Sequence, residues 1–155
     1  MKINQYRALG FSCYGTLMDR QRGVLYEDVP GAMQYLSKFY RLVVLLPADA
    51  DSSEALTAQL PVAFDAQVTY HHEDRRAALR DTLEAVGLRR EELLPVRSTD
   101  MDDPWGELVD FPICTLRRDQ SRPRQRPEPP SKGGRCEYAS LADLVLAHQD
   151  ALRAV

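Results

Sequence analysis

RLVVLLP, residues 41–47, decides the fold. Leu42 to Leu46 form an apolar run with no polar alternation. Successive strand side chains point to opposite faces, so such a run needs cover on both sides, as a central strand of a parallel sheet has. Working upstream, GAMQYLSKFY (31–40) places Met33, Leu36 and Phe39 or Tyr40 at helical spacing, with Asp28 and Pro30 as start signals. Before it, YRALGFS (6–12) reads as a first strand running into the turn-rich stretch CYGTLMDRQRG (13–23).

Downstream the alternation continues. Asp51 or Ser52 caps a helix through SSEALTAQL (52–60), and FDAQVTY (64–70) is a third strand. Residues 72–86 form an amphipathic helix through Ala78, Leu79, Leu83 and Val86, which Gly87 ends. LLPVRS (93–98) is the fourth strand, DPWGELVD (103–110) a short helix and FPICTL (111–116) the fifth strand. SLADLVLAHQDA (140–151) is a last helix capped by Ser140. Strands alternating with helices predict an α/β fold: a three-layer, Rossmann-like open parallel sheet of five strands with right-handed crossovers. From 117 to 135 the composition changes to RRDQSRPRQRPEPPSKGGR, which has no large apolar residue and reads as a solvated, flexible loop.

Composition bounds the rest. A chain of 155 residues, 44% hydrophobic and 28% charged, has room for a single domain over 1–155 with one core. A net charge of −3 gives no electrostatic reason to expect nucleic acid or an anionic membrane as partner. Cys13, Cys114 and Cys136 are odd in number and lack CxxC spacing, so they suggest neither a disulfide framework nor a zinc site. The absence of a long apolar span and of a signal-like N-terminal core leads to a cytoplasmic expectation.

Ligands of open parallel sheets bind beyond the carboxyl ends of the strands, here Ser12 to Thr16, Pro47 to Asp51, His71 to Asp74 and Ser98 to Asp103. The first of these stretches, within YRALGFSCYGTLMD (6–19), resembles the first motif of the haloacid dehalogenase-like superfamily, whose 2-haloacid dehalogenase branch typically reads F-D-C-Y-G-T-L. VPGAMQYLSKFYRLVVLLPADADS (29–52), FDAQVT (64–69) and FPICTLRR (111–118) are similar to later segments of that family. The resemblance implies the strand order 5-4-1-2-3 and a pocket of Ser12, Cys13, Tyr14, Gly15, Thr16, Pro47, Ala48, Asp49, Asp102 and Asp103.

The departures point away from catalysis. The family's nucleophilic aspartate falls at Ser12, and a hydroxyl without a base does not replace an ionised carboxylate. The second motif's Ser or Thr falls at Pro47 and Ala48, and Pro47 has no N–H to offer. The third motif's lysine has no counterpart, because no lysine lies between Lys38 and Lys132; Glu73, Asp74, Arg75 and Arg76 stand nearest, and arginine is not equivalent. Asp102 or Asp103 matches the acidic fourth motif, with capping before Pro104 the plainer role. Only Met18 to Val29 separate Leu17 from Pro30, so the cap domain of the dehalogenases is missing.

These residues lead to a pseudoenzyme with no catalytic residue, metal or cofactor. Its partner is another protein or a second copy of itself, meeting the mouth and the surface near Leu25 and Tyr26. Backbone amides of Cys13 to Thr16 are expected to bind an anion weakly. The alternative is a hydrolase of altered chemistry using Ser12 and Asp102, with Asp49 or His71 assisting. A serine triad through His71 or His72 fails on distance, about 10 Å across two strand spacings. A metal site at His71 to Asp74, a reactive Cys13 and ligand stacking on Tyr14 or Trp105 are weaker than packing, capping or core roles.

Overall fold

A computed structural model describes residues 3–19, 21–47, 52–71, 75–98, 112–118 and 136–153. A 3-10 turn, Ile3–Gln5, leads to β1 (Ala8–Ser12). Then follow β2 (Met18–Asp19), β3 (Val24–Leu25), α1 (Val29–Leu36), β4 (Arg41–Pro47), α2 (Ser52–Gln59), β5 (Ala66–Tyr70) and α3 (Arg75–Val86). The chain continues through β6 (Leu93–Ser98), β7 (Cys114–Leu116), β8 (Cys136–Tyr138) and α4 (Leu141–Arg153).

The main sheet is ordered β5-β4-β1-β6-β7-β8 and its pairings are parallel. It therefore has six strands where the sequence predicts five, and the order 5-4-1-2-3 is corrected to 6-5-4-1-2-3 when its strands are numbered along the chain. The added strand is β8, whose three residues carry no periodic signal of their own. It forms because Cys136, Glu137 and Tyr138 find Cys114, Thr115 and Leu116 in register beside them.

Burial explains the layers. All five residues of β1 are buried, as are Leu42 to Pro47 of β4, so both faces are covered as RLVVLLP requires. On one face Leu9, Phe11, Val44 and Leu46 pack with Met33 of α1, Leu56 of α2, and Leu141 and Leu144 of α4. On the other, Ala8, Leu45 and Tyr70 pack with Ala78 and Leu79 of α3. Gly87, at φ 65°, ends α3, and the Leu88 N–H closes back onto the Leu83 carbonyl at 3.2 Å.

Three local expectations change. α1 stops at Leu36 rather than continuing to Tyr40, because the chain must turn into β4 at Arg41. Tyr40 is buried and its hydroxyl donates to the Ile3 carbonyl at 2.6 Å, while Phe39 is left 47% exposed. The stretch 13–23 supplies the first strand and the turn of an antiparallel hairpin, Met18 and Asp19 pairing with Leu25 and Val24 just beyond it. Arg117 and Arg118, expected in a solvated loop, are fastened to the sheet end. The helices expected at 103–110 and over 72–74, and the stretch 119–135, lie outside the described residues.

Candidate functional site at the carboxyl end of the sheet

The crossover after β1 goes toward β4, and the chain after β6 goes toward β7. The carboxyl ends of β1 and β6 therefore flank the point where the winding reverses, the usual place for a ligand in such sheets. Ser12 closes β1 and Ser98 closes β6, and both are buried.

The loop leaving β1 is tightly tied. Gly15 has φ 79°, a left-handed conformation that glycine adopts without strain. This lets its N–H donate to the Met18 carbonyl at 2.9 Å, while the Cys13 carbonyl accepts from Leu17 and Met18 N–H groups at 2.8 and 3.1 Å. An anion nest over Cys13 to Thr16 thus lacks the Gly15 donor. Thr16 is fully buried, and its hydroxyl lies 2.7 Å from that of Ser12. Cys13 is 2% exposed, and burial pushes its thiol up to about 12, which opposes a reactive role. Tyr14 is half-buried against the core.

Around this loop stands a cluster that the sequence reading missed. The Arg118 guanidinium donates to the Thr16 carbonyl from Nε at 3.1 Å and from Nη2 at 2.7 Å. It also meets the Asp28 carboxylate, from Nη1 to Oδ1 at 2.9 Å and from Nη2 to Oδ2 at 3.2 Å. Its flat face lies 4.0 Å from the centre of the Tyr26 ring. The same Asp28 Oδ2 accepts the N–H of Leu141, the first residue of α4, at 2.6 Å. Asp28 was legible only as a start signal for α1, yet its side chain makes no capping bond there. Its work is to hold Arg118 and cap α4.

The hairpin is latched separately. Gln59 of α2 accepts the Leu25 N–H at 3.0 Å and donates to the Gly23 carbonyl at 3.2 Å. Leu25 and Tyr26, expected on surface bared by the missing cap, are half-buried, and Val24 beside them is 39% exposed.

Two of the remaining predicted site residues, Pro47 and His71, are described. Pro47 is buried at the end of β4, two residues past Leu45, the partner of Ser12. His71 follows β5, two strands from β1, and lies three residues beyond Val68, the level of Ser12. That puts it about 10 Å across and about 10 Å along the strands. Ala48, Asp49, Asp102, Asp103, His72, Glu73, Asp74 and Trp105 lie outside the described residues. Among the described residues no group of three or more His, Cys, Asp or Glu side chains could hold a metal ion, and no helix is long and apolar enough to cross a membrane. No protein-family model and no curated protein matches the chain.

Proposed function

We propose that this chain is a catalytically silent, capless domain of the haloacid dehalogenase-like kind that works by binding another protein at the carboxyl end of its sheet. One observation carries the reading. Ser12, standing where the family has its nucleophile, is buried with its hydroxyl engaged by Thr16 at 2.7 Å. Among the described residues no carboxylate, imidazole or ammonium group is hydrogen-bonded to it. A hydroxyl needs such a neighbour to become a nucleophile at neutral pH.

The charge arrangement supports the same reading. The nearby cation, Arg118, is directed to Asp28 and the Thr16 carbonyl rather than toward an incoming anion. Pro47 supplies neither a hydroxyl nor an N–H. What remains is a braced polar rim with a short hairpin beside it, suited to contact more than to turnover.

The test is a turnover screen of the purified protein against generic phosphate esters and short 2-haloacids, with and without magnesium. The expected result is silence. Turnover that disappears in Ser12→Ala or Asp102→Ala would overturn the proposal and establish a hydrolase of altered chemistry. Cross-linking in extracts of the native host, read by peptide mapping, is expected to place the partner on Tyr14 and the 18–25 hairpin.

A further inference from the structure

Helix α4 ties the two ends of the sheet together. Its first residue, Leu141, donates its N–H to Asp28 Oδ2 at 2.6 Å, and the same carboxylate holds Arg118 against the Thr16 carbonyl. Further along, about 10 Å down the helix axis, His148 is 2% exposed among the rings of Tyr35, Phe39 and Tyr40. We propose that α4 is a proton-responsive strut: a proton on His148 frees the helix from the rings, and its departure takes the Leu141 N–H from Asp28 and slackens the brace on the β1 loop.

The surroundings of His148 leave a positive charge unanswered. α4 packs on α1, on the 3-10 turn and on β8. Helix α1, Val-Pro-Gly-Ala-Met-Gln-Tyr-Leu, brings only the Tyr35 phenol, whose oxygen lies 2.7 Å from Nδ1. Past its end Lys38 is exposed, and Tyr40 turns its hydroxyl to the Ile3 carbonyl at 2.6 Å. Ile3–Gln5 carries no titratable side chain, while β8 brings the Tyr138 phenol and Glu137, which is ion-paired with Arg117. On α4 itself Asp143 lies in the first turn, and Asp150 pairs with Arg153 at 3.7 Å on the exposed side. No carboxylate is therefore bonded to the imidazole among the described residues, and burial holds it below its ordinary value.

The coupling follows from the helix. The buried residues of α4, Leu141, Leu144 and His148, fall at helical spacing along one stripe, so a single face docks the whole rod. When His148 has to leave, the two leucines and the Asp28 bond hold that face alone. An imidazole released to water takes up its proton near pH 6.5, and a docked one only at a lower pH. Each pH unit below about 6.5 therefore favours the released helix about tenfold, until the docked ring titrates as well. This holds whatever the mouth binds.

Amide hydrogen exchange of the full chain, followed by NMR as the pH is lowered, tests it. Protection of the Leu141 to Leu144 amides is expected to fall about tenfold per pH unit below about pH 6.5, with Leu42 to Leu46 of β4 still protected. The Arg118 Nε–H should lose protection along with them. His148→Phe fills the ring cluster with a group that takes no proton and should abolish the slope. His148→Gln, which keeps a polar partner for Tyr35, decides the matter if the phenylalanine variant fails to fold. A slope that is absent, confined to residues after 148, shared by β4 or kept in these variants overturns the proposal.

Discussion

The carboxyl and amino ends of the sheet both bury polar groups, but they satisfy them in opposite ways. At the carboxyl end, Arg118 and Asp28 are buried as a charged pair, with side chains 11% and 16% exposed, and the bonds around them neutralise the charges, cap α4 and hold the Thr16 carbonyl. At the amino end, His148 of α4 is 2% exposed among the rings of Tyr35, Phe39 and Tyr40, at centroid distances of 5.4, 4.6 and 5.3 Å. Its Nδ1 lies 2.7 Å from the Tyr35 hydroxyl, and no carboxylate is bonded to it among the described residues. Helix α4 spans the two, its first N–H in the charged cluster and its eighth residue in the aromatic one. A charge is therefore part of the structure at one end and excluded from it at the other.

The contrast breaks most sharply at Asp28. Asp28→Ala leaves the Arg118 cation buried without its counter-charge and the Leu141 N–H without its acceptor, which should cost about 3–5 kcal/mol in urea denaturation. Arg118→Ala should cost less, since Asp28 keeps the Leu141 N–H. The double variant should be less destabilised than the sum of the two, with a coupling of about 1–3 kcal/mol. Additive losses would mean that the pair is two independent contacts.

At the amino end the probes are a hydroxyl and a proton. Tyr35→Phe leaves a buried His148 nitrogen unsatisfied, an expected loss of about 1–3 kcal/mol. Burial holds the His148 imidazole below its ordinary value, so on acidification the unfolded chain takes up the proton first. Its contribution to stability is complete above about pH 6.5 and is lost as the pH falls from there through the lower folded value. Denaturation midpoints of the natural chain and of His148→Phe, compared across that interval, should show the extra acid sensitivity only in the natural chain. Equal slopes would remove His148 as its source.

The same contrast explains what was legible in the sequence. RLVVLLP and LLPVRS announce buried strands because their chemistry is local, and Gly87 ends α3 by its own backbone freedom. Ser140, read as a cap, does accept the Asp143 N–H, at 3.3 Å. Arg118 and Asp28 were not legible as partners, because 90 residues separate them and each has a plausible local role. β8 was hidden for a similar reason, being a strand only by virtue of β7. His148 sat unremarked in a helical pattern, since nothing along the chain places Tyr35 and Tyr40 beside it. Of the pocket inferred by resemblance, the part on one loop, Ser12 to Thr16, is contiguous and assembled, whereas the pieces expected from other strand ends depend on tertiary placement.

The smallest effect belongs to the hydroxyl pair. Ser12→Ala removes one of two mutually bonded, buried hydroxyls and leaves the Thr16 Oγ1 without that partner, so about 1 kcal/mol of stability should be lost. Removing both, in Ser12→Ala/Thr16→Val, replaces the pair with apolar groups of similar shape and should recover most of the loss. A pair retained for packing gives this result and leaves binding of the partner unchanged. A nucleophile behaves differently: its alanine variant is tolerated or even stabilised, since groups held ready for chemistry are held at a cost in stability, and whatever turnover exists disappears. Chemical denaturation of the three proteins beside the turnover screen therefore separates the two roles, even if the screen omits the natural substrate. A stabilised Ser12→Ala would return the carboxyl end to catalysis.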